Sequence, residues 1–338
     1  MSERVLIPEK VYAKGEPVFQ STSEFDFQLT NGDEASMAAA AQSSKARAIV
    51  LGNDTYCGPL YEALAANANG KATLLARFGV GHDNVDKQLA RQNGIIVTNT
   101  PGVLDDSVAE HTLWLLGGLV KKIAQQDAQL RRGHWSAEPG VELRGKTLAV
   151  IGFGQIGRRV ALAAHFGFGM RAIAVGQRPA EEFEGRERRP LAEMLATWGA
   201  ETYTVDLDAA IAIADVVTLH APATPQTRHL LNRDRLHRFK PTAFLINTAR
   251  GALIDEDGLY DALLSSQLRG AALDVFEHEP YRPISPGKDL RTLESVLLTP
   301  HTGSNTDEAN GRMAQSVLAT LRQFFDVEIG MLHRVDQL

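Results

Sequence analysis

The run VIGFGQIGRRV, residues 150–160, limits the fold more than any other stretch of this chain. An apolar, strand-like segment leads into Gly152, Gly154 and Gly157 in G-x-G-x-x-G spacing, and a helix-like segment follows at once. In that setting one glycine makes a tight turn, the next lets a pyrophosphate approach the backbone, and the last lets helix pack on strand. The helix start, with Gln155 and Ile156 beside Gly157, offers unbonded N–H groups and the positive end of the helix dipole to the phosphates. These five residues are therefore expected to bind a dinucleotide.

The pattern around the loop supports that context. From residue 147 onward TLAVI, MRAIAV, DVVTLH, AFLIN, GAALDV and SVLLTP alternate with polar or amphipathic stretches. This predicts an α/β fold of the Rossmann type, a doubly wound parallel sheet of six strands with helices on both faces. In the first half ARAIVLG, ATLLARF and GIIVTN alternate with PLYEALAANA and VDKQLARQ, which predicts a second, smaller α/β unit. The turn residues NTPG, 99–102, precede a long apolar helix, SVAEHTLWLLGGLVKKIAQQ, and mark one boundary. A second boundary falls near His301, after which MAQSVLATLRQFF is expected to return to the first unit. The expected division is a discontinuous substrate-binding domain, 1–101 with 303–338, and a dinucleotide-binding domain, 102–302. The charged run EEFEGRERRP, 181–190, reads as a solvated loop.

Composition narrows the function. Thirty-five Lys and Arg stand against 41 Asp and Glu, a net charge of -6, and the basic residues are scattered, so no nucleic-acid face is expected. The apolar stretch TLWLLGGLV is too short to span a bilayer, and MSERVLIPEK lacks the apolar core of a signal peptide. A single cysteine, Cys57, allows no intrachain disulfide. The expectation is a cytoplasmic protein without membrane partners.

MRAIAVGQRP, residues 170–179, bears on the choice of dinucleotide. An acid at the end of such a strand accepts hydrogen bonds from the adenosine ribose and repels a 2'-phosphate. Here Gly176, Gln177 and Arg178 stand instead, and Arg178 offers a cationic fork. NADP is expected in preference to NAD.

Three further residues follow strand-like runs on the same predicted edge: Arg250 in NTARG, Glu279 in FEHEP and His301 in TPH. Oxidising an alcohol with a nicotinamide removes a hydride from carbon and a proton from oxygen, and histidine suits the proton. A carboxylate bonded to the imidazole, here Glu279, fixes its tautomer and favours its protonated form. Arginine holds a substrate carboxylate through paired bonds, which makes 2-oxo and 2-hydroxy acids natural substrates. Thr248 and Ala249 in the same NTARG turn are expected to touch the cofactor. His82 and His278 lie near these motifs and read as structural or substrate-tuning. Neither a metal-ligand spacing nor a nucleophile elbow is present.

ARFGVGHDNVD, RRGHWSAEPGVELRGKTLAVIGFGQIG, INTARGALIDEDGL, GAALDVFEHEP and LLTPHTG together resemble the D-isomer-specific 2-hydroxyacid dehydrogenase family, over roughly residues 46–325. The first 45 residues match poorly, and the segment 180–200 is longer than is common in the family. The resemblance implies that Arg250, Glu279 and His301 form the catalytic triad, and that the Val80 and Gly81 N–H groups bind the substrate carboxylate. It places Asp274 at the nicotinamide amide and Ser107 near the cofactor phosphate. It also implies a smaller flavodoxin-like domain, a homodimer held partly by the arm around RRGHWSAEPGVELRG, and closure that excludes water. Glu279 as the histidine's partner argues against the formate dehydrogenase branch, where a glutamine stands. The chain ends at Leu338 after the returning helix, so no appended regulatory domain is expected.

The leading expectation is an NAD(P)-dependent reductase of a small 2-oxo acid such as glyoxylate or hydroxypyruvate; VGQRP resembles the corresponding segment of NADP-using members. Two alternatives use the same scaffold: a dinucleotide-sensing corepressor, and a dehydrogenase of an unusual donor such as phosphite.

Overall fold

Strands that are apolar at most positions must be covered on both faces, and the chain contains two sets of parallel strands dominated by such runs. The computed structural model describes residues 2–326, 330 and 332–336. The chain divides into two compact units, Met1–Leu104 with Asn305–Leu338, and Asp105–Ser304.

The first unit holds five parallel strands: β1 (Glu3–Pro8), β2 (Phe25–Thr30), β3 (Ala48–Leu51), β4 (Thr73–Arg77) and β5 (Ile95–Thr98). Their order, β2-β1-β3-β4-β5, is that of flavodoxin-like sheets. β3, β4 and β5 are buried throughout, and apart from Thr73, Arg77 and Thr98 at their ends they are apolar. One face packs Leu6, Ile49, Leu51 and Leu75 against Met37, Tyr61 and Leu64 of two helices. The helix Asp307–Phe325 belongs to this unit and packs on β4 and on the short helix Glu16–Phe19. Edge strand β2, FDFQLT, alternates aromatic and polar residues and is only half-covered, so its sequence carries no apolar run.

The second unit has seven parallel strands, one more than the sequence pattern predicts: β6 (Thr147–Ile151), β7 (Arg171–Val175), β8 (Ala200–Thr204), β9 (Val216–Leu219), β10 (Phe244–Asn247), β11 (Gly270–Leu273) and β12 (Val296–Leu298). Their order is β12-β11-β10-β9-β6-β7-β8. The added strand, β8, reads AETYT; it lies at the edge with two exposed positions and so lacks an apolar signature. Alternate residues of β6 serve opposite faces. Leu148 and Val150 join the core beneath the helices Asp105–Val120 and Gln155–Phe168, while Ala149 and Ile151 join the core with Leu259 and Ala262.

Two local expectations are corrected. The long helix after residue 105 is two helices, Asp105–Val120 and Ile123–Arg131, because Lys122 turns left-handed with φ 55°. The charged run 181–190 is not a loop: Ala180–Glu187 is helical. Glu181 and Glu182 occupy its first turn and Arg186 its last, which complements the helix dipole, and Phe183 stacks on Tyr203. Among the described residues no helix is long and apolar enough to cross a membrane.

Candidate active site

The strand order reverses between β6 and β9, and ligands of doubly wound sheets bind beyond the carboxyl ends of strands at such a point. The glycine loop follows β6 there. Gly152 adopts φ +96°, and a Cβ on it would lie 2.6 Å from the His220 carbonyl carbon and oxygen. Gly157 is equally obligatory, since its Cβ would lie 2.2 Å from the Gly152 oxygen. Gly154 differs. It caps the helix Gln155–Phe168 without any side-chain capping bond, and a Cβ there would meet nothing within 4 Å. The one open glycine thus fronts the uncapped helix start, where Gln155 and Ile156 lie, and the cradle fits a pyrophosphate.

Past β10, the buried Asn247 staples the next turn: its side chain accepts from Ala249 N (3.0 Å) and donates to the Arg250 carbonyl (2.8 Å). Thr248 shares a 2.8 Å hydroxyl contact with Thr112, which joins this turn to the helix that carries the buried Ser107. Arg250 Nη1 donates to the Ala249 carbonyl at 2.6 Å, a bond that holds the guanidinium stem.

Past β11 and β12, two loops meet. His301 Nδ1 and Glu279 Oε2 lie 2.6 Å apart, with about a third of each side chain exposed. The other Glu279 oxygen accepts from Phe276 N at 3.0 Å, so the carboxylate is aimed by its own loop. His301 sits in left-handed conformation, φ 52°, uncommon for a residue with a side chain. Asp274 holds it there. His301 N donates to the Asp274 carbonyl at 2.8 Å, while the Asp274 side chain accepts from Thr299 Oγ1 (2.6 Å), Thr302 N (2.8 Å) and Gly303 N (2.8 Å). His111 Nε2 lies 3.3 Å from the same carboxylate. Burial pushes the Asp274 pKa up, but the bonds from His111, Thr299, Thr302 and Gly303 outweigh it and leave the carboxyl below its ordinary value.

Gln177 and Arg178 are exposed beyond β7, and Arg178 Nη1 pairs with Glu182 Oε1 at 2.8 Å, one helical turn on. In the first unit, Gly79 takes φ +144° and is tied to Thr100 by two bonds, and Asn99 Nδ2 donates to the Val80 carbonyl at 2.7 Å. The N–H groups of Val80 and Gly81 have no hydrogen-bond acceptor among the described residues.

Several neighbours carry no motif of their own. His220 follows β9 against the glycine loop, and burial pushes its pKa down to about 3, so the imidazole is neutral. Its place just past a strand end was the available signal. Glu256, 6% exposed, accepts from Glu277 N at 2.6 Å in the loop that carries Glu279. Nothing in the sequence marks that carboxyl as buried.

Comparison with known proteins gives the family. The sequence model described as "D-isomer specific 2-hydroxyacid dehydrogenase, NAD binding domain" matches residues 113–303, more than half of the chain. A glyoxylate reductase of Thermococcus litoralis is 40% identical over 268 residues, covering 77% of this chain and 76% of the relative. A hydroxypyruvate reductase of Thermotoga maritima is 39% identical over 246 residues, covering 71% and 73%. Among solved structures, the NADPH-dependent glyoxylate/hydroxypyruvate reductase of Sinorhizobium meliloti, in complex with NADP and malonate, superposes with a TM-score of 0.79. It is 29% identical, over 96% of this chain and 94% of that one. By the family model and these relatives, the chain belongs to the D-isomer specific 2-hydroxyacid dehydrogenases, NAD(P)-dependent enzymes that act on CH–OH donors.

Proposed function

We propose that this enzyme reduces a small 2-oxo acid of the glyoxylate or hydroxypyruvate type, with NADPH preferred. The observation that carries the reading is the 2.6 Å pair of His301 Nδ1 and Glu279 Oε2. With Nδ1 engaged by the carboxylate, Nε2 is the ring atom left to give a proton to the substrate carbonyl oxygen, or to take it back from the alcohol. Glu279 stabilises the charged imidazole without itself needing to move a proton. Arg250 receives the substrate carboxylate and polarises the adjacent carbonyl. The Val80 and Gly81 N–H groups are further donors to that carboxylate, and their lack of internal acceptors supports the role. A nicotinamide held there would supply the hydride to C2.

Gly152, Gly154, Gln155, Ile156 and Gly157 hold the pyrophosphate, Ser107 adds a hydroxyl near it, and Thr248 and Ala249 line the same edge. Asp274 Oδ2, which accepts one bond, from Gly303, is the acceptor for the nicotinamide amide. The NADP preference rests on the missing acid after β7 and on Arg178, and the NADPH-dependent S. meliloti relative favours it. Arg178 must leave Glu182 to meet a 2'-phosphate, an exchange of one carboxylate for a more highly charged anion. A homodimer is the proposed assembly, supported by Trp114 (76% exposed) and Trp135 (91%) along the segment that includes the arm. The cytoplasm is the proposed location. The matched relatives are reductases and dehydrogenases, which favours turnover over a corepressor or phosphite-oxidising role.

The deciding experiment is a matrix of 2-oxo acids against NADH and NADPH, read as kcat/KM. The reading expects the highest value for a two- or three-carbon 2-oxo acid with NADPH. No oxidation of either cofactor with any acid would overturn it.

A further inference from the structure

We propose that Tyr203, on edge strand β8, determines coenzyme specificity: it fills the space that a side chain at position 176 would need and fixes the turn that presents Gln177 and Arg178. The proposal deepens the NADP reading above and rests on it.

The packing is close. A Cβ built on Gly176 would lie 1.8 Å from Tyr203 Oη and 2.4 Å from Cζ, so any side chain there must first displace the ring. The ring is held at both ends. Its hydroxyl donates to the Arg178 carbonyl at 2.7 Å, and its face stacks on Phe183 at 5.0 Å between centroids and 22° between planes. Phe183 in turn lies under Arg158, whose guanidinium carbon is 5.5 Å from that ring centroid. Arg158 is 6% exposed; its Nε donates to the Phe153 carbonyl (3.1 Å) and its Nη2 pairs with Glu187 (2.9 Å). Gly176 N donates to the Thr204 carbonyl at 2.9 Å, which pins the strand end from the backbone side.

A continuous path therefore runs from Phe153 in the glycine loop through Arg158, Phe183 and Tyr203 to the Arg178 carbonyl. Phe183 and Tyr203 lie on the Ala180–Glu187 helix and on β8, two parts of this unit that the sequence pattern did not predict. The consequence is chemical. An aspartate at 176, the group that would favour an unphosphorylated ribose, has no room, and the Arg178 main chain is held through its carbonyl on a turn from which the side chain can exchange Glu182 for a 2'-phosphate.

The test measures dissociation constants of NADPH, NADH and adenosine 2',5'-bisphosphate with the full chain, by calorimetry, so it does not depend on turnover. Tyr203→Phe keeps the ring stack and removes only the hydroxyl. It is expected to weaken NADPH and the bisphosphate about tenfold while NADH changes by less than about twofold. Gly176→Asp alone is expected to weaken NADPH without improving NADH, and adding Tyr203→Ala is expected to improve NADH about tenfold over the single variant. Tyr203→Phe with an unaltered NADPH-to-NADH ratio overturns the proposal, as does Gly176→Asp alone improving NADH as much as the double variant. Arg178→Ala separates the two levels. If it weakens NADPH and Tyr203→Phe does not, the role of Tyr203 fails alone; if it leaves both coenzymes unaltered, the NADP preference fails with it.

Discussion

Replacing Glu256 by glutamine should make the protein's stability less sensitive to pH, in a direction set by the surroundings of this carboxyl. It is buried at the start of the helix Glu256–Leu264, where Oε1 accepts from Glu277 N and Oε2 has no hydrogen-bond partner among the described residues. Burial pushes its pKa up to about 7; the bond from Glu277 N opposes this, and the charges of Glu277, Asp257 and Glu279 add to the rise. In the folded chain the proton is retained to about pH 7, whereas an unfolded carboxyl releases it near its ordinary value of 4.5. Stability from this group is therefore complete below about pH 4.5, declines as the pH rises, and is lost above about pH 7. A shift of that size amounts to about 3 kcal/mol. Glutamine keeps an oxygen for Glu277 N and cannot ionise. The difference in unfolding free energy between variant and parent, from denaturant titrations followed by fluorescence at several pH values, should move in favour of glutamine between about pH 4.5 and 7 and then level off. A difference that is flat across this range, or that favours the parent as the pH rises, would refute a buried, proton-retaining carboxyl.

Three further outcomes are expected. His301→Ala should lower turnover by about 10² or more with little change in coenzyme affinity, as for loss of an acid/base group; turnover close to the parent's would reject the assigned proton transfer. Arg250→Lys retains the charge but loses the planar fork, so KM should rise and kcat fall, and unaltered kinetics would remove Arg250 from the substrate. Gly154→Ala and Gly157→Ala should fail differently: the first melts like the parent but binds NADPH more weakly, while the second, 2.2 Å from the Gly152 oxygen, lowers the melting temperature. Equal melting temperatures for the two would contradict the division of labour among the glycines.

The parallel architecture could be read from the sequence because buried parallel strands are apolar at most positions, as TLAVI and AFLIN are. The same logic concealed AETYT, an edge strand whose outward residues are polar, and FDFQLT in the first unit. EEFEGRERRP misled because charge density alone suggests solvent, whereas Glu187 pairs with a buried arginine and Phe183 covers a tyrosine. At the site, residues just past strand ends are confined to one edge by topology, which is why Glu279 and His301, 22 residues apart, could be associated before their 2.6 Å contact was known. Roles that depend on burial were not accessible in this way. Asp274 as the organiser of the His301 loop, the neutral His220 and the proton-retaining Glu256 each acquire their character from neighbours distant in sequence.

The order of the seven-stranded sheet has a consequence for how such an enzyme can diversify. Arg250, Glu279 and His301 follow β10, β11 and β12 on one wing, while Gly176, Arg178 and Tyr203 belong to β7, β8 and the turn after β7 on the other; β6 and β9 stand between. Substitutions on separated wings that share no partner contribute almost independently to free energy. If the proposed roles hold, coenzyme choice can drift with the reducing pool a cell maintains while the proposed proton-transfer pair stays intact, and an engineer can screen the two wings as separate libraries and combine the winners.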